Sequence, residues 1–107
     1  MVKLTLSTKN KISINGDLLI CNFDNILEIP ILKILKISII TTENGPFVDD
    51  VFLVLFLEHQ TITIPSEHPC FQSFLFDQLP QKVDINYEQL TKSMSSCINA
   101  EFVLFSR

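Results

Sequence analysis

The sequence predicts an α+β fold, in which a strongly bent antiparallel sheet of about six to seven strands is followed by two C-terminal helices and a closing strand. Three observations indicate this class: an uninterrupted apolar run at residues 51–57, alternating apolar and polar residues before and after it, and helical periodicity in the last third of the chain. Because the strand-like segments precede the helical ones and do not alternate with them, a doubly wound parallel sheet is disfavoured.

The run at 51–57 is the expected centre of the sheet. It contains only Val, Leu and Phe, and it is bounded by Asp49 and Asp50 on one side and by Glu58 on the other. A short apolar run with charged ends is typical of a strand that is buried on both faces. The remainder of the chain is therefore expected to supply two layers, one on each side of this strand.

Shorter strands are expected elsewhere in the first two thirds of the chain. Their residues alternate in polarity or are β-branched, and they lie at 2–6, 11–14, 17–21, 37–42 and 61–64. Asn15-Gly16 separates two of them, and this dipeptide predicts a hairpin because a type I′ turn needs positive φ at both central residues. The strands at 51–57 and 61–64 are expected to form a second antiparallel hairpin.

Residues 26–36 fit two interpretations. Apolar residues interleaved with Lys33 and Lys36 suit one helical turn, and Pro30 would suit the first position of that turn. From residue 37 the β-branched pattern is typical of a strand. The sequence leaves open whether residues 30–36 form helix or strand.

The last third predicts two helices and the closing strand. The first helix is expected to start near Ser66 as its N-cap, to end at Pro80, and to bury one apolar face, Phe71, Phe74, Leu75 and Leu79. The second is expected from Asp84 or Asn86, with one side formed by Tyr87, Leu90, Met94 and Cys97. Residues 100–105 form the closing strand.

The composition is that of a single globular domain covering residues 1–107, with 47% hydrophobic residues, 19% charged residues and a net charge of −4. No basic cluster occurs, which disfavours binding to nucleic acid or to an anionic membrane surface. The apolar run is too short to span a bilayer, and no targeting segment is identified. Cys21, Cys70 and Cys97 are widely spaced, so reduced thiols in a cytoplasmic protein are expected.

No constellation of catalytic residues is identified. Asp49 and Asp50 are neighbours in a strand and would point to opposite faces, so they are expected to end the strand and not to form an acid–base pair. His59 is expected in a solvated turn, His68 in the exposed first turn of a helix, and Cys70 beneath that helix. Metal-ligand spacings and glycine-rich phosphate loops are absent from the sequence. We therefore expect a protein that is not an enzyme and that uses no metal and no cofactor.

Several motifs resemble those of a family of small uncharacterised bacterial proteins, whose members share a DVFWVL-type strand, an Ile-Pro step into a helix and a closing NAxFV strand. The matching segments lie at 45–47, 50–55, 64–65, 79–80, 94–96 and 99–103. Leu53 and Phe105 stand where that pattern has Trp. The resemblance implies a shared fold and an immunity-type role beside polymorphic toxins, and it implies no catalytic residues.

The expected function is that of a non-enzymatic protein-interaction domain, in its narrower form an immunity-type inhibitor of a bacterial toxin. Complementary charge speeds the encounter with a basic partner, so the expected partner-binding residues are acidic residues in turns, Asp24, Glu43, Asp49 and Glu58. The alternative is a small-molecule or lipid-binding module with an apolar pocket between the sheet and the helices. A homo-oligomer would follow if an apolar strand edge stays uncovered.

Overall fold

The computed structural model describes residues 2–42, 51–95 and 98–107. Its strands, in chain order, are β1 (Val2–Thr5), β2 (Lys11–Asn15), β3 (Leu18–Asn22), β4 (Ile26–Pro30), β5 (Lys36–Thr41), β6 (Val51–Phe56), β7 (Gln60–Pro65) and β8 (Ala100–Ser106). Its helical segments are a 3-10 helix (Ile31–Lys33), a π-helix (Ser73–Gln78), a second 3-10 helix (Leu79–Gln81) and α1 (Tyr87–Met94). The predicted α+β class is confirmed.

The strands form two sheets, where the sequence predicts one bent sheet. The larger sheet has the order β1-β7-β6-β5-β8, and the smaller has the order β2-β3-β4. Strand β1 runs parallel to β7, and every other described pair is antiparallel. The chain leaves the smaller sheet at Pro30, where the 3-10 helix turns it towards the larger sheet. Two sheets result because this turn separates the ladder of β4 from that of β5.

Both predicted hairpins are confirmed. Asn15 pairs with Leu18 across the first one, so its central residues are Gly16 and Asp17. Gly16 has a positive φ of 62° but Asp17 does not, so the predicted type I′ turn, which needs positive φ at both positions, is wrong. Strands β6 and β7 form the second, with Leu53 opposite Ile64. The closing strand β8 returns to pair with β5, with a bulge between Ile37 and Ser38.

Residues 26–36 contain a strand and a helical turn in succession. Strand β4 occupies the first half and pairs with β3, although the sequence analysis assigns no separate strand there. The 3-10 helix begins directly after Pro30, which has a φ of −57° and no N–H to leave unpaired. The sequence is therefore correct in placing the start of a helical turn at Pro30, and the helix has a single turn.

The first C-terminal helix starts later than the sequence predicts. Residues 66–70 form turns, and helical structure begins at residue 71, so Ser66 does not act as an N-cap. The four predicted apolar residues are nevertheless buried, Phe71, Phe74, Leu75 and Leu79. In the π-helix, Leu79 N–H donates to the carbonyl of Phe74, which brings these two residues onto the same side. The side chain of Gln78 accepts a hydrogen bond of 2.8 Å from Ile14 N–H and thereby docks this helix against β2.

Helix α1 begins as predicted but presents a different face. Asn86 is its N-cap and accepts a hydrogen bond of 3.1 Å from Gln89 N–H. The buried residues are Leu90 and Ser93, whereas Tyr87 and Met94 are 57% and 65% exposed. At about 100° per residue, Tyr87 and Met94 lie roughly 70° to 90° around the helix from the middle of the buried face. The prediction that these two residues belong to the buried side is wrong, and Cys97 lies outside the described residues.

The hydrophobic core lies on one face of the larger sheet. Alternate residues of β5, β6 and β7 supply its fully buried centre, Ile37, Ile39, Leu53, Leu55, Ile62 and Ile64. Residues of the smaller sheet, such as Leu19, and of the helical segments, such as Phe74 and Leu90, belong to the same cluster. Both the smaller sheet and the helices are therefore packed on this one side. No helix among the described residues is long and apolar enough to cross a membrane.

The opposite side of the larger sheet, which we call the outer face, carries none of the side chains of the core cluster. The strand registers assign the following side chains to it: Lys3, Thr5, Lys36, Ser38, Ile40, Phe52, Val54, Phe56, Thr61, Thr63, Pro65, Glu101, Val103 and Ser106. Val54 is buried but does not belong to the core cluster, and Phe52 and Phe56 are half-buried. Ser38 and Thr61 on this face are buried as well, so the middle of β6 is buried on both faces, as the sequence predicts.

A small polar network crosses the outer face. The Nζ atom of Lys36 lies 3.0 Å from a carboxylate oxygen of Glu101 and 4.3 Å from the centre of the Phe56 ring. The same carboxylate accepts a hydrogen bond of 2.8 Å from the hydroxyl of Ser38, which is fully buried. The Ser38 hydrogen bond is the main cause that lowers the pKa of Glu101, and Lys36 contributes as well.

His68 ties two loops together in the interior. The sequence analysis expects an exposed histidine, but this side chain is buried. Its Nε2 lies 2.9 Å from the carbonyl of Ser7 and 3.0 Å from that of Asn10, and its Nδ1 accepts a hydrogen bond of 3.0 Å from Cys70 N–H. Because both Nε2 partners are acceptors, Nε2 carries the hydrogen of a neutral ring. These hydrogen bonds hold the ring in the interior. Residues 66–70 form turns and not the predicted first turn of a helix.

Replacing His68 by Ala is expected to destabilise the protein by about 1–3 kcal/mol, since a buried side chain is removed and two part-buried carbonyls and one N–H lose their partner. Urea unfolding measures this change. His59→Ala is the matched control, because the side chain of His59 is 88% exposed; it is expected to stay within about 0.5 kcal/mol of the parent. Equal effects of the two substitutions would contradict the interior role of His68.

Replacing Glu101 by Gln is expected to reduce the acid sensitivity of the fold. A carboxyl with a lowered pKa in the folded state contributes stability above its unfolded pKa and loses it as the pH falls through the folded value. Since the side chain of Glu101 is 40% exposed, we expect a contribution of only about 0.5 kcal/mol. Unfolding free energies between pH 7 and pH 3 measure it, and Glu88→Gln, which removes an exposed carboxylate of α1, is the control. A steeper acid loss in the Glu101→Gln variant than in the parent would overturn the assignment.

Candidate functional site

The most distinctive surface feature is the turn between the two sheets, residues 30–35, which we call the Leu32 turn. The side chains of Leu32 and Leu35 are 78% and 46% exposed, whereas Ile31 and Ile34 point into the core. In a 3-10 turn residues three apart lie on the same side, so Ile31 and Ile34 both face the core and Leu32, between them, faces solvent. Two leucines are thus presented to solvent next to two isoleucines that anchor them.

The backbone of the Leu32 turn is held by hydrogen bonds from distant parts of the chain. Ile31 N–H donates to the carbonyl of Asp17 at 2.9 Å, and Leu35 N–H donates to the carbonyl of Phe56 at 2.8 Å. Ile34 N–H closes the turn onto the Ile31 carbonyl at 3.0 Å. The exposed leucines therefore sit on a rigid support that both sheets fasten.

Arg107 fastens the same turn from a third direction. Its N–H donates to the carbonyl of Leu35 at 2.9 Å, and its Nε donates to the carbonyl of Ile34 at 2.7 Å. Its Nη2 lies 3.3 Å from the carbonyl of Ile31. The guanidinium also lies 5.0 Å from the centre of the Phe105 ring. The guanidinium thus holds three segments of the fold together, although the residue itself is exposed.

Two concavities flank the Leu32 turn. The larger is an open groove of about 670 Å³ between the end of β4 and the β6–β7 turn, with Ile29 and Leu57 among its apolar walls and Glu28 and Glu58 at its rim. The smaller, of about 390 Å³, lies towards Arg107. Both are lined by Pro30 and Leu32. The turn is therefore a ridge between two depressions, and the larger depression is not the sheet–helix pocket that the sequence analysis considers.

Charges of both signs surround the ridge. Glu58 lies 3.6 Å from His59, and Lys82 lies 3.8 Å from Asp17. Glu28 and Lys33 line the groove and form no ion pair within the described residues. An apolar centre with a mixed polar rim is the usual composition of a protein–protein contact surface.

The four acidic residues predicted from the sequence are not gathered at one place in the described residues. Glu58 lies at the rim of the groove, with a side chain that is 81% exposed. Asp24 is exposed in the turn between β3 and β4, at the opposite end of β4 from Pro30, which is about 17 Å away by strand length. Glu43 and Asp49 lie outside the described residues. Of the two predicted acids within the described residues, Glu58 lies at the Leu32 turn and Asp24 does not.

The thiols and histidines have structural surroundings. Both ring nitrogens of His68 are engaged in the hydrogen bonds described above, and Cys70 is half-buried against the core. Cys21 is buried in the smaller sheet, where desolvation raises the pKa of its thiol to about 12. His59 is solvent-exposed, as the sequence predicts. No group of three or more metal-ligating side chains occurs within residues 2–42, 51–95 and 98–107.

Sequence reasoning missed the leucines of the turn and the role of Arg107. The available signal was weak: residues 31–35 carry four apolar side chains, more than a single helical turn can bury on one face. The contribution of Arg107 leaves no local pattern, because its partners lie more than seventy residues earlier in the chain.

In comparisons with known proteins, no protein-family model, no curated protein and no solved structure matches the chain.

Replacing Arg107 by Ala is expected to loosen the Leu32 turn without unfolding the domain. Two side-chain hydrogen bonds are lost, so we expect a destabilisation of about 1–2 kcal/mol. Hydrogen exchange should accelerate at Ile34 and Leu35 and stay unchanged at residues 52–55 of β6. Lys92→Ala is the control, since Lys92 forms only an exposed pair with Glu88; unchanged exchange in the Arg107→Ala variant would refute the role of Arg107.

Proposed function

We propose that this chain is a non-enzymatic protein-interaction domain and that the Leu32 turn is its contact with the partner. The observation that carries the proposal is the 78% exposure of Leu32 on a turn fastened by Asp17, Phe56 and Arg107. A leucine that only filled the core would be buried, and a leucine on a loose loop would have to be ordered before binding. Leu32 is exposed, and the backbone of its turn is held by hydrogen bonds before any partner binds.

Preorganisation is what makes such a ridge suitable for binding. Side chains that are immobile before association lose little conformational entropy on binding, and a protruding apolar residue flanked by depressions offers an interlocking contact. The partner would supply an apolar pocket for Leu32 and Leu35 and a protrusion for the groove. Basic groups on the partner would face Glu28 and Glu58.

Toxin immunity is the narrower form of the proposal. The net charge of −4 supports it, because an acidic inhibitor associates faster with a basic active site. A cytoplasmic location is part of the same proposal, since Cys21 and Cys70 are free thiols.

Small-molecule binding is the alternative function. The groove of about 670 Å³ falls within the range typical of ligand sites and has apolar walls. A ligand in this groove would contact Leu35, Leu57 and Glu58 without needing the ridge. Stabilisation of the protein in a thermal-shift screen of small apolar and amphipathic compounds would favour this alternative.

Co-expression with the product of the adjoining gene tests the protein-binding proposal. We expect a one-to-one complex whose affinity falls at least tenfold in Leu32→Ser, since buried apolar anchors dominate interface energies. Ile26→Ser is the matched control, because Ile26 is an apolar residue with 65% exposure at the far end of β4. Affinity that is equal in both variants would remove the Leu32 turn from the contact.

Charge reversal tests the electrostatic part separately. Changing Asp24, Glu43, Asp49 and Glu58 to Lys is expected to lower the association rate, with a smaller effect on dissociation. The effect should shrink at high salt because screening weakens steering. An association rate that these changes leave unaltered would exclude the four acids as steering groups.

A further inference from the structure

We infer that the free edge of β4 binds an extended, basic segment of a partner protein as an additional strand of the smaller sheet. The inference rests on the proposed function, because it names the part of the partner that lies beside the Leu32 turn. Strand β4 is an edge strand of the sheet β2-β3-β4 and leads directly into that turn through Pro30. An edge strand presents backbone N–H and C=O groups that can pair with another chain.

The hydrogen bonds around β3 show which backbone groups of β4 point outward. Ile31 N–H donates to the carbonyl of Asp17 at 2.9 Å, and this pair continues the register of β3 and β4. On the other side of β3, Ile14 N–H points away to the π-helix, so its opposite residue Leu19 directs its backbone groups towards β4. Because bonded and non-bonded pairs alternate along an antiparallel ladder, both observations assign the odd-numbered residues of β4 to β3. The even-numbered residues therefore direct their backbone groups outward.

These outward groups are unpaired within the part of the chain that the structure describes. They are the N–H and C=O of Ile26, the N–H and C=O of Glu28, and the C=O of Pro30, and no hydrogen bond among the described residues involves them. All three residues are exposed. The edge of β2, in contrast, is partly closed by Gln78, which accepts a hydrogen bond of 2.8 Å from Ile14 N–H. Strand β4 thus offers a solvent-exposed row of donors and acceptors to an added strand.

The groove beside this edge has room for the side chains of an added strand. Glu28, Ile29 and Pro30 line one side of the groove of about 670 Å³, and Leu57 and Glu58 of the β6–β7 turn line the other. Residues directly opposite each other in a sheet point to the same face. A residue opposite Ile29 would therefore share its face and reach the apolar walls of the groove. A residue opposite Glu28 would point to the other face, next to that carboxylate.

The charges along the edge favour a basic segment. Glu28 forms no ion pair within the described residues, and Glu58 lies 3.6 Å from the exposed His59. Lys33 also lines the groove, but it belongs to the Leu32 turn, beyond the end of β4. A Lys or Arg opposite Glu28 would form an opposite-charge pair across the two strands, which stabilises their pairing. The segment that fits is therefore extended, with a basic residue between two apolar ones.

A second copy of this chain fits the same edge poorly. Antiparallel pairing of two β4 strands over their full length places Glu28 opposite Glu28 and Pro30 opposite Ile26. Like charges directly opposite each other destabilise a sheet, and Pro30 has no N–H to donate to the carbonyl of Ile26. Charged residues and proline are the usual protection of an edge strand against self-association. Here they leave the edge open to a basic strand of another protein.

Selection of a phage-displayed library of random linear peptides on the full chain tests the inference. We expect selected peptides in which basic and apolar residues alternate. At saturation, the synthetic peptide should slow amide hydrogen exchange at least tenfold at Ile26 and Glu28, whose N–H groups become bonded. Exchange at Leu27 and Ile29 should change less, because their N–H groups already face β3. A library that yields no binder, or a peptide that slows exchange only elsewhere, would overturn the inference.

A charge reversal supplies the matched comparison. Glu28→Lys should weaken binding of the selected peptide at least tenfold, because it places like charges opposite each other. Glu88→Lys makes the same change of net charge at an exposed position of α1 and should bind the peptide like the parent. Equal weakening in both variants would assign the effect to net charge and refute pairing at β4.

The peptide experiment and the co-expression experiment fail independently. The first measures backbone pairing at β4 with a synthetic peptide, and the second measures the contact of Leu32 with the product of the adjoining gene. Ile26→Ser retains every backbone group of β4, so it stays a valid control for the Leu32 turn. Loss of exchange protection at Ile26 and Glu28 overturns the added strand and leaves the contact at Leu32 standing.

Discussion

The hydrogen bonding of β6 to β5 on one side and to β7 on the other is the constraint on which the rest of the structure depends. It gives the central strand two faces and assigns Leu53 and Leu55 to one of them. Burying a leucine side chain stabilises the folded state by about 1.5–3 kcal/mol. The smaller sheet, the π-helix and α1 therefore pack on this face. With all of these on one side, the outer face is left to Phe52, Val54 and Phe56.

The Leu32 turn depends on the same frame. Its last residue is hydrogen-bonded to Phe56 at the end of β6, and Arg107 reaches it from the end of β8. An exposed leucine is tolerated there because Ile31 and Ile34, on either side of it, are anchored in the core. The Leu32 turn and the outer face are thus both consequences of one arrangement. The central strand determines which side chains are buried, and the ends of the strands position the residues that protrude.

The sequence predicts the elements of this fold better than their assembly. The period-two pattern and Asn15-Gly16 locate strands and a hairpin because those signals act between near neighbours. The same pattern shows which residues of β6 share a face but not whether each face has a covering layer. It also hides the inward turn of His68 and the reach of Arg107, since both depend on groups that come together only after folding. Glu58 reaches the candidate site, and Asp24 does not, because β4 separates the two ends of the smaller sheet.

The parallel pairing of β1 with β7 has a consequence for how the chain can be made. Val2 lies opposite Gln60, so β1 can form its described ladder only after β7 has been synthesised. The hairpin of β2 and β3 and the addition of β4 need only local loops, which close with little loss of chain entropy. The smaller sheet is therefore free to form first, while β1 waits. Completion of the larger sheet, at both its β1 and its β8 edges, is expected to follow, because it joins segments far apart in the chain.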